Sequence, residues 1–312
     1  MNGYAAAAVA VLIWAAYPVA TRAGMNGSFT PGELVTLRFG VGALLFLPYL
    51  LIHWRGISRA AWVQGVPLTL FQGVGMGALV ICGLELAPAN HQAALGPGVN
   101  SAWVALLGFV VFAKRPTARI VLGATLCAAG VLAIAWWSSA QRSPAVLAGD
   151  LMFLGASALG AVYVLQLRSW GVSAIQAAAI VSLYSALIVV PWHLWSAPHP
   201  VWRAPTLELL WQVLWQGVLI GCIAFVALNH AIARLGAERS SALIALVPVL
   251  SAIVALAFLG EVPSAIETAA FLAISVGVFV GASRGLGRQS RGDQRADEAV
   301  GLRTVPSGVA RP

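Results

Sequence analysis

The chain has 312 residues, 60% of them apolar and only 9% charged, whereas a soluble domain carries about 25% charged residues. Up to position 283 there are 12 Arg or Lys and 7 Asp or Glu, too few to solvate a globule, which excludes a secreted enzyme, a cytosolic dehydrogenase or a nucleic-acid module and leaves a membrane protein. The net charge of +8 does not restore nucleic acid as a partner, because the arginines sit in short gaps between apolar runs, where they set topology.

A helix needs about 20 mostly apolar residues to cross about 30 Å of hydrocarbon. Ten segments qualify, at about 4–24, 33–53, 62–84, 91–112, 117–137, 147–167, 174–195, 207–230, 237–259 and 264–283. Met1-Asn2-Gly3-Tyr4 carries no positive charge and the apolar run after it is too long for a signal peptide, so it reads as a retained first span. Helix breakers mark several short connections: Thr30-Pro31-Gly32, Ala87-Pro88, Arg115-Pro116 and the run from Ala197 to Pro200. Pro18, Pro48, Pro191 and Pro248 fall inside spans as usable hinges. Cys82, Cys127 and Cys222, odd in number and inside apolar runs, read as small packing residues.

Alternate connections divide the basic residues fourteen to three, with Arg22, Arg142 and Arg203 on the poorer side. Positive charge is retained in the cytoplasm, so both termini are expected there and the protein is expected to be multi-pass in the inner membrane. From about 284 the apolar period stops, and residues 284–312 read as a disordered charged tail able to touch acidic lipid headgroups. Most of the 12 Trp lie at span ends as interfacial anchors; Trp14, Trp103 and Trp215 lie deeper, where each indole needs a polar partner or a cavity.

The chain also repeats itself. Phe71-Gln72-Gly73-Val74 with Gly77 recurs as Trp215-Gln216-Gly217-Val218 with Gly221, 144 positions on, and Gly130-Val131 recurs as Gly277-Val278. A polar Gln in mid-membrane is costly, so finding it twice at equivalent places is informative. Five spans per copy is an odd number, so the second copy enters the bilayer from the opposite face. The fold expected is an all-α integral membrane protein of ten helices in two inverted five-helix repeats, 1–140 and 141–283. That architecture lets a midplane site open to each side in turn.

These residues resemble the EamA branch of the drug/metabolite transporter superfamily. The most specific stretch runs from Ser240 through Pro248 and Phe258-Leu259-Gly260-Glu261 to Gly277-Val278, with Gly149-Asp150-Leu151 similar to the start of a second repeat. In the first repeat Ser101 stands where Pro248 does and Lys114 where Glu261 does. The resemblance implies secondary transport of a small organic metabolite, with amino-acid or metabolite export first and drug efflux second.

Polar groups near mid-span that could replace a solute's hydration shell are Trp14, Tyr17, Gln72, Asn100, Ser101, Trp103, Tyr163 and Gln216. Each Gln either lines the cavity or serves as an interhelical hydrogen bond. Arg38 is either a docking charge for an anionic or zwitterionic group or a structural charge paired with Glu33 or Glu85. Glu85 and His91 flank an outer turn as candidate coupling charges, against a default of exposed loop residues, and Asp150 reads as a helix-start cap. Gly281-Ala282-Ser283-Arg284-Gly285 satisfies a nucleophile-elbow pattern but follows no strand. No phosphate loop, HExxH or CxxC spacing is present, so neither cofactor nor metal is expected, and a membrane-embedded enzyme or a non-transporting membrane protein is the competing class. Few acids lie within the spans, so exchange stands beside proton coupling.

Overall fold

The computed structural model describes residues 2–112, 117–140, 143–170, 173–196, 204–235 and 237–282. The charged tail, Lys114, Arg115 and Arg142 lie outside them. Among the described residues ten helices are long and apolar enough to span a bilayer: α1 Gly3–Asn26, α2 Pro31–Gly56, α3 Arg59–Leu86, α4 Ala89–Val111, α5 Ala118–Ala140, α6 Pro144–Leu167, α7 Ile175–Ser196, α8 Thr206–Leu228, α9 Ala242–Leu259 and α10 Ala265–Ala282. Local chemistry sets their ends. Thr30 and Glu33 close a reciprocal capping box at the start of α2, with Pro31 in its first turn. Ser264 and Glu267 do the same for α10, and α9 stops at Gly260, whose φ of 68° is the left-handed cap that glycine adopts freely.

Helix packing follows a two-fold pattern. α2 lies against α7 and α5 against α10, while the α3–α6 contact is matched by α8–α1 and the α4–α6 contact by α9–α1. The core therefore draws on both halves, with Ile13, Leu84 and Leu95 meeting Phe153, Ile220 and Ile274. Leu44, Leu51, Leu132 and Phe258 face outward, the surface that hydrocarbon would cover.

Among the described residues four helices are interrupted within their length. α3 is interrupted at Gly73, directly after Gln72, where a Cβ would stand 2.2 Å from Ser185 Oγ and 2.6 Å from the Thr69 carbonyl. α8 runs as a π-helix over Val213–Ile223, around Gln216-Gly217. α4 carries a π turn over Ala94–Gly98 with Pro97 inside it, and helix resumes at Val247 just before Pro248 in α9. Thus the third and fourth spans of both repeats are broken, and in the third spans the break falls on the repeated Gln-Gly pair. Broken spans near mid-membrane are where transporters place their sites.

Candidate functional site

Helices α2, α3, α6, α7 and α8 line a narrow, partly open pocket whose walls include Arg38, Phe39, Gln72, Tyr163, Ser182 and Phe225. Arg38 is held by stacking and one hydrogen bond. Its guanidinium lies 5.3 Å from the Tyr17 ring centre and 5.6 Å from that of Phe39, and Nη1 donates to the Tyr17 hydroxyl at 2.9 Å. Neither carboxylate proposed from the sequence pairs with it. Glu33 accepts from the Thr30 N–H at 2.7 Å and from its hydroxyl at 2.9 Å, and Glu85 is exposed. Five residues along a helix put Glu33 and Arg38 on different faces.

Gln72, at the end of the first segment of α3, lies near Asn100 of α4. A Cβ on Gly160 of α6 would lie 3.1 Å from Asn100 Nδ2 and 3.8 Å from Gln72 Oε1, so the missing side chain lets the two amides converge there. Asn100 Nδ2 also donates to the Ser157 carbonyl at 3.0 Å, tying α4 to α6.

The other sequence candidates lie elsewhere. Gln216 is fully buried; its Nε2 donates to Thr21 Oγ1 at 2.9 Å and to Gln212 Oε1 at 3.2 Å, while Gln212 Nε2 donates to the Ala20 carbonyl at 2.9 Å. The two repeated glutamines have thus diverged, one facing the cavity and one joining α8 to α1. Trp14 packs against the core beside Tyr17, Ser101 is exposed, and the buried indole nitrogens of Trp103 and Trp215 have no hydrogen-bond acceptor among the described residues. Ser182 and Phe225 were missed, because a lone Ser or Phe in an apolar span carries no signal in sequence.

This divergence separates the two glutamines experimentally. Gln216→Ala is expected to lower the thermal stability of the purified protein by about 0.6–2 kcal/mol, with flux per folded molecule unchanged. Gln72→Ala is expected to do the reverse.

A second polar constellation occupies the end of the bundle that carries the α1–α2, α3–α4, α5–α6, α7–α8 and α9–α10 connections. The left-handed Gly260 turns Glu261 toward the N-terminus of α4, where its carboxylate accepts from the N–H of Ala89 at 3.0 Å and of Asn90 at 3.4 Å. Arg22 Nε lies 3.5 Å from the same carboxylate, and Arg22 Nη1 donates to the carbonyls of Leu84 and Ala87. His91 sits between two acids, with Nδ1 2.8 Å from Asp150 Oδ1 and Nε2 2.8 Å from Glu267 Oε1. Asp150 Oδ2 accepts from the Ser138 hydroxyl at 2.7 Å, and Glu267 Oε2 from the Ser264 N–H at 2.6 Å.

Two sequence expectations are corrected here. His91 is no exposed loop residue: it lies within α4 and is 1% exposed. Asp150 is not the cap of α6, because that helix begins at Pro144 and places Asp150 two turns in, buried against α4 and α5. Both errors come from drawing α4 and α6 too short at this end.

The sequence of this two-repeat bundle matches the EamA-like transporter family over residues 1–136 and 147–282. The chain belongs to that family. It is 24% identical over 248 residues to the "Uncharacterized transporter YyaM" of Bacillus subtilis (strain 168), a match covering 74% of this chain and 78% of that protein. A chain of known crystal structure, 21% identical, shares the fold with a TM-score of 0.62 over 90% of this chain and 97% of its own length. This EamA protein is therefore a multi-pass membrane protein of a transporter family, and its partner is a small-molecule solute.

Proposed function

We propose that this EamA protein moves a small organic solute bearing a carboxylate across the inner membrane by alternating access, with an amino acid or related metabolite as the exported cargo. One observation carries the reading: the cavity between the repeats is walled by a single formal charge, Arg38, with no carboxylate among its lining residues. Arg38 is the eighth residue of the Pro31–Gly56 span; a charge within a span is costly, up to about 2.5–3.5 kcal/mol at its centre on translocation scales, and a solute carboxylate would recover charge-assisted hydrogen bonds there. Gln72 and Ser182 supply neutral hydrogen-bonding groups beside it, and Tyr163 a phenol. Trp14, Asn100, Ser101, Trp103 and Gln216 belong to this reading as supports or as residues of another conformation.

Phe39, Ile220 and Phe225 in the same wall favour a second reading, efflux of bulkier apolar compounds. Flux into proteoliposomes of radiolabelled amino acids, nucleobases and cationic dyes, with and without a pH gradient, decides between them. Saturable flux of a carboxylate-bearing compound is the expected result; flux of cationic dyes alone would refute the assignment of Arg38.

For orientation, the excess of Arg and Lys puts both termini in the cytoplasm. With Cys82→Ser and Cys222→Ser as background, Arg119→Cys, exposed at the start of α5, should react with an impermeant maleimide in inverted vesicles only. Labelling in right-side-out vesicles would reverse the topology.

A further inference from the structure

The polar constellation around His91 is built in an unusual way: most of its side-chain links run between the repeats. Arg22, the α4 N-terminus, His91 and Ser138 come from the first repeat, and Glu261, Asp150 and Glu267 from the second. If the repeats part at this end, as the alternating-access reading above requires, these links must break. The inference rests on that reading.

The protons can be counted. Two contacts of 2.8 Å join the imidazole to two carboxylate oxygens, and each needs a hydrogen between nitrogen and oxygen. A neutral imidazole supplies one. With both acids ionised and the ring neutral, one contact would set two lone pairs against each other, so the closed arrangement holds one further proton, shared by the three groups. Among the described residues the other charged groups nearby do not supply it: Glu261 and Arg22 satisfy each other beside the α4 N-terminus, and Glu85 is exposed. Once water enters, an imidazole gives up that proton above about pH 6.5. We infer that His91, Asp150 and Glu267 form a proton-binding site whose occupancy latches the two repeats together at this end.

The sign follows directly. The closed state binds more protons than the open one, so rising pH favours opening, with a limiting slope of about tenfold in the closed-to-open ratio per pH unit for one linked proton. Asp150→Asn isolates the proton from the contacts. The amide N–H would donate to a bare Nδ1, its oxygen would accept from Ser138, and Nε2–H would donate to Glu267, so every link survives with no extra proton. Glu267→Gln makes the same exchange on the other side of the ring and serves if Asp150→Asn fails to fold.

The experiment reads distances between spin labels at Ser28→Cys and Val262→Cys, both exposed on connections at this end. It uses the full chain in lipid nanodiscs, with Cys82→Ser and Cys222→Ser, from about pH 5 to about pH 9. In the otherwise native chain the closed-to-open ratio is expected to fall above about pH 7 with a slope approaching tenfold per unit, and in Asp150→Asn or Glu267→Gln to stay flat and high. A flat native profile, or an unchanged slope in both variants, overturns the proton site. The double variant Asp150→Ala with Glu267→Ala cuts the latch and should open at every pH. If it stays closed throughout, the alternating-access reading fails and the latch with it, a result distinct from opening without pH dependence.

Discussion

Flux of a carboxylate-bearing solute through Arg38→Gln is expected to fall about 10- to 100-fold at low solute concentration, while the variant inserts and folds at least as well as the native chain. A charge-assisted hydrogen bond contributes about 1.5–3 kcal/mol, and each 1.4 kcal/mol is about tenfold in affinity. Glutamine keeps a donor and most of the length but loses the charge and the two-pronged geometry. Removing a charge from within a span relieves part of an insertion cost, and among the described residues the guanidinium surrenders one hydrogen bond, to the Tyr17 hydroxyl, a group able to donate as well as accept. Arg38→Lys should recover part of the loss, because a point charge remains. Counterflow by purified variants in proteoliposomes gives the apparent affinity directly. Native flux in Arg38→Gln would make Arg38 structural and leave the carboxylate unexplained.

The largest effect on folding is expected from Gly277→Val. α5 and α10 approach so closely that a Cβ on Gly277 would stand 2.6 Å from the Gly123 carbonyl oxygen and 3.0 Å from the Cys127 backbone nitrogen. Neither is the end of a flexible side chain, so the helices themselves must separate, and overpacking of this kind costs about 1–3 kcal/mol or more. Van der Waals packing of small residues is the main attraction between helices in lipid, so the loss falls on the contact that joins the last span of one repeat to the last of the other. Gly281→Ala is the control: one turn further along the same helix, nothing stands within 4 Å of its Cβ. Thermal melting in detergent should show a lowered transition for Gly277→Val and an unchanged one for Gly281→Ala; equal transitions would refute the close packing.

Arg38 and His91 illustrate two kinds of legibility. A charge inside an apolar run is visible in the sequence, and so Arg38 was singled out, but its Tyr17 partner lies 21 positions away on another helix. His91 was visible only as a residue near a turn, because its carboxylates are 59 and 176 positions distant. Gln72 and Gln216 look equivalent as members of a repeat, yet one faces the cavity and the other joins α1.

The sequence by itself determined that the chain spans the membrane, where its spans fall, and that it consists of two related halves of a transporter family. Those properties depend on transfer free energies summed along a segment and on motifs contiguous in the chain, both local quantities. Which face of each span points inward was decided only by tertiary packing. These helices are apolar on all sides, so no polar stripe distinguishes the buried face from the lipid face. Rotation is then set by close approaches such as Gly123 on Gly277 and by polar groups seeking partners on other helices, and that rotation brought Arg38 to the cavity and closed His91 between two acids.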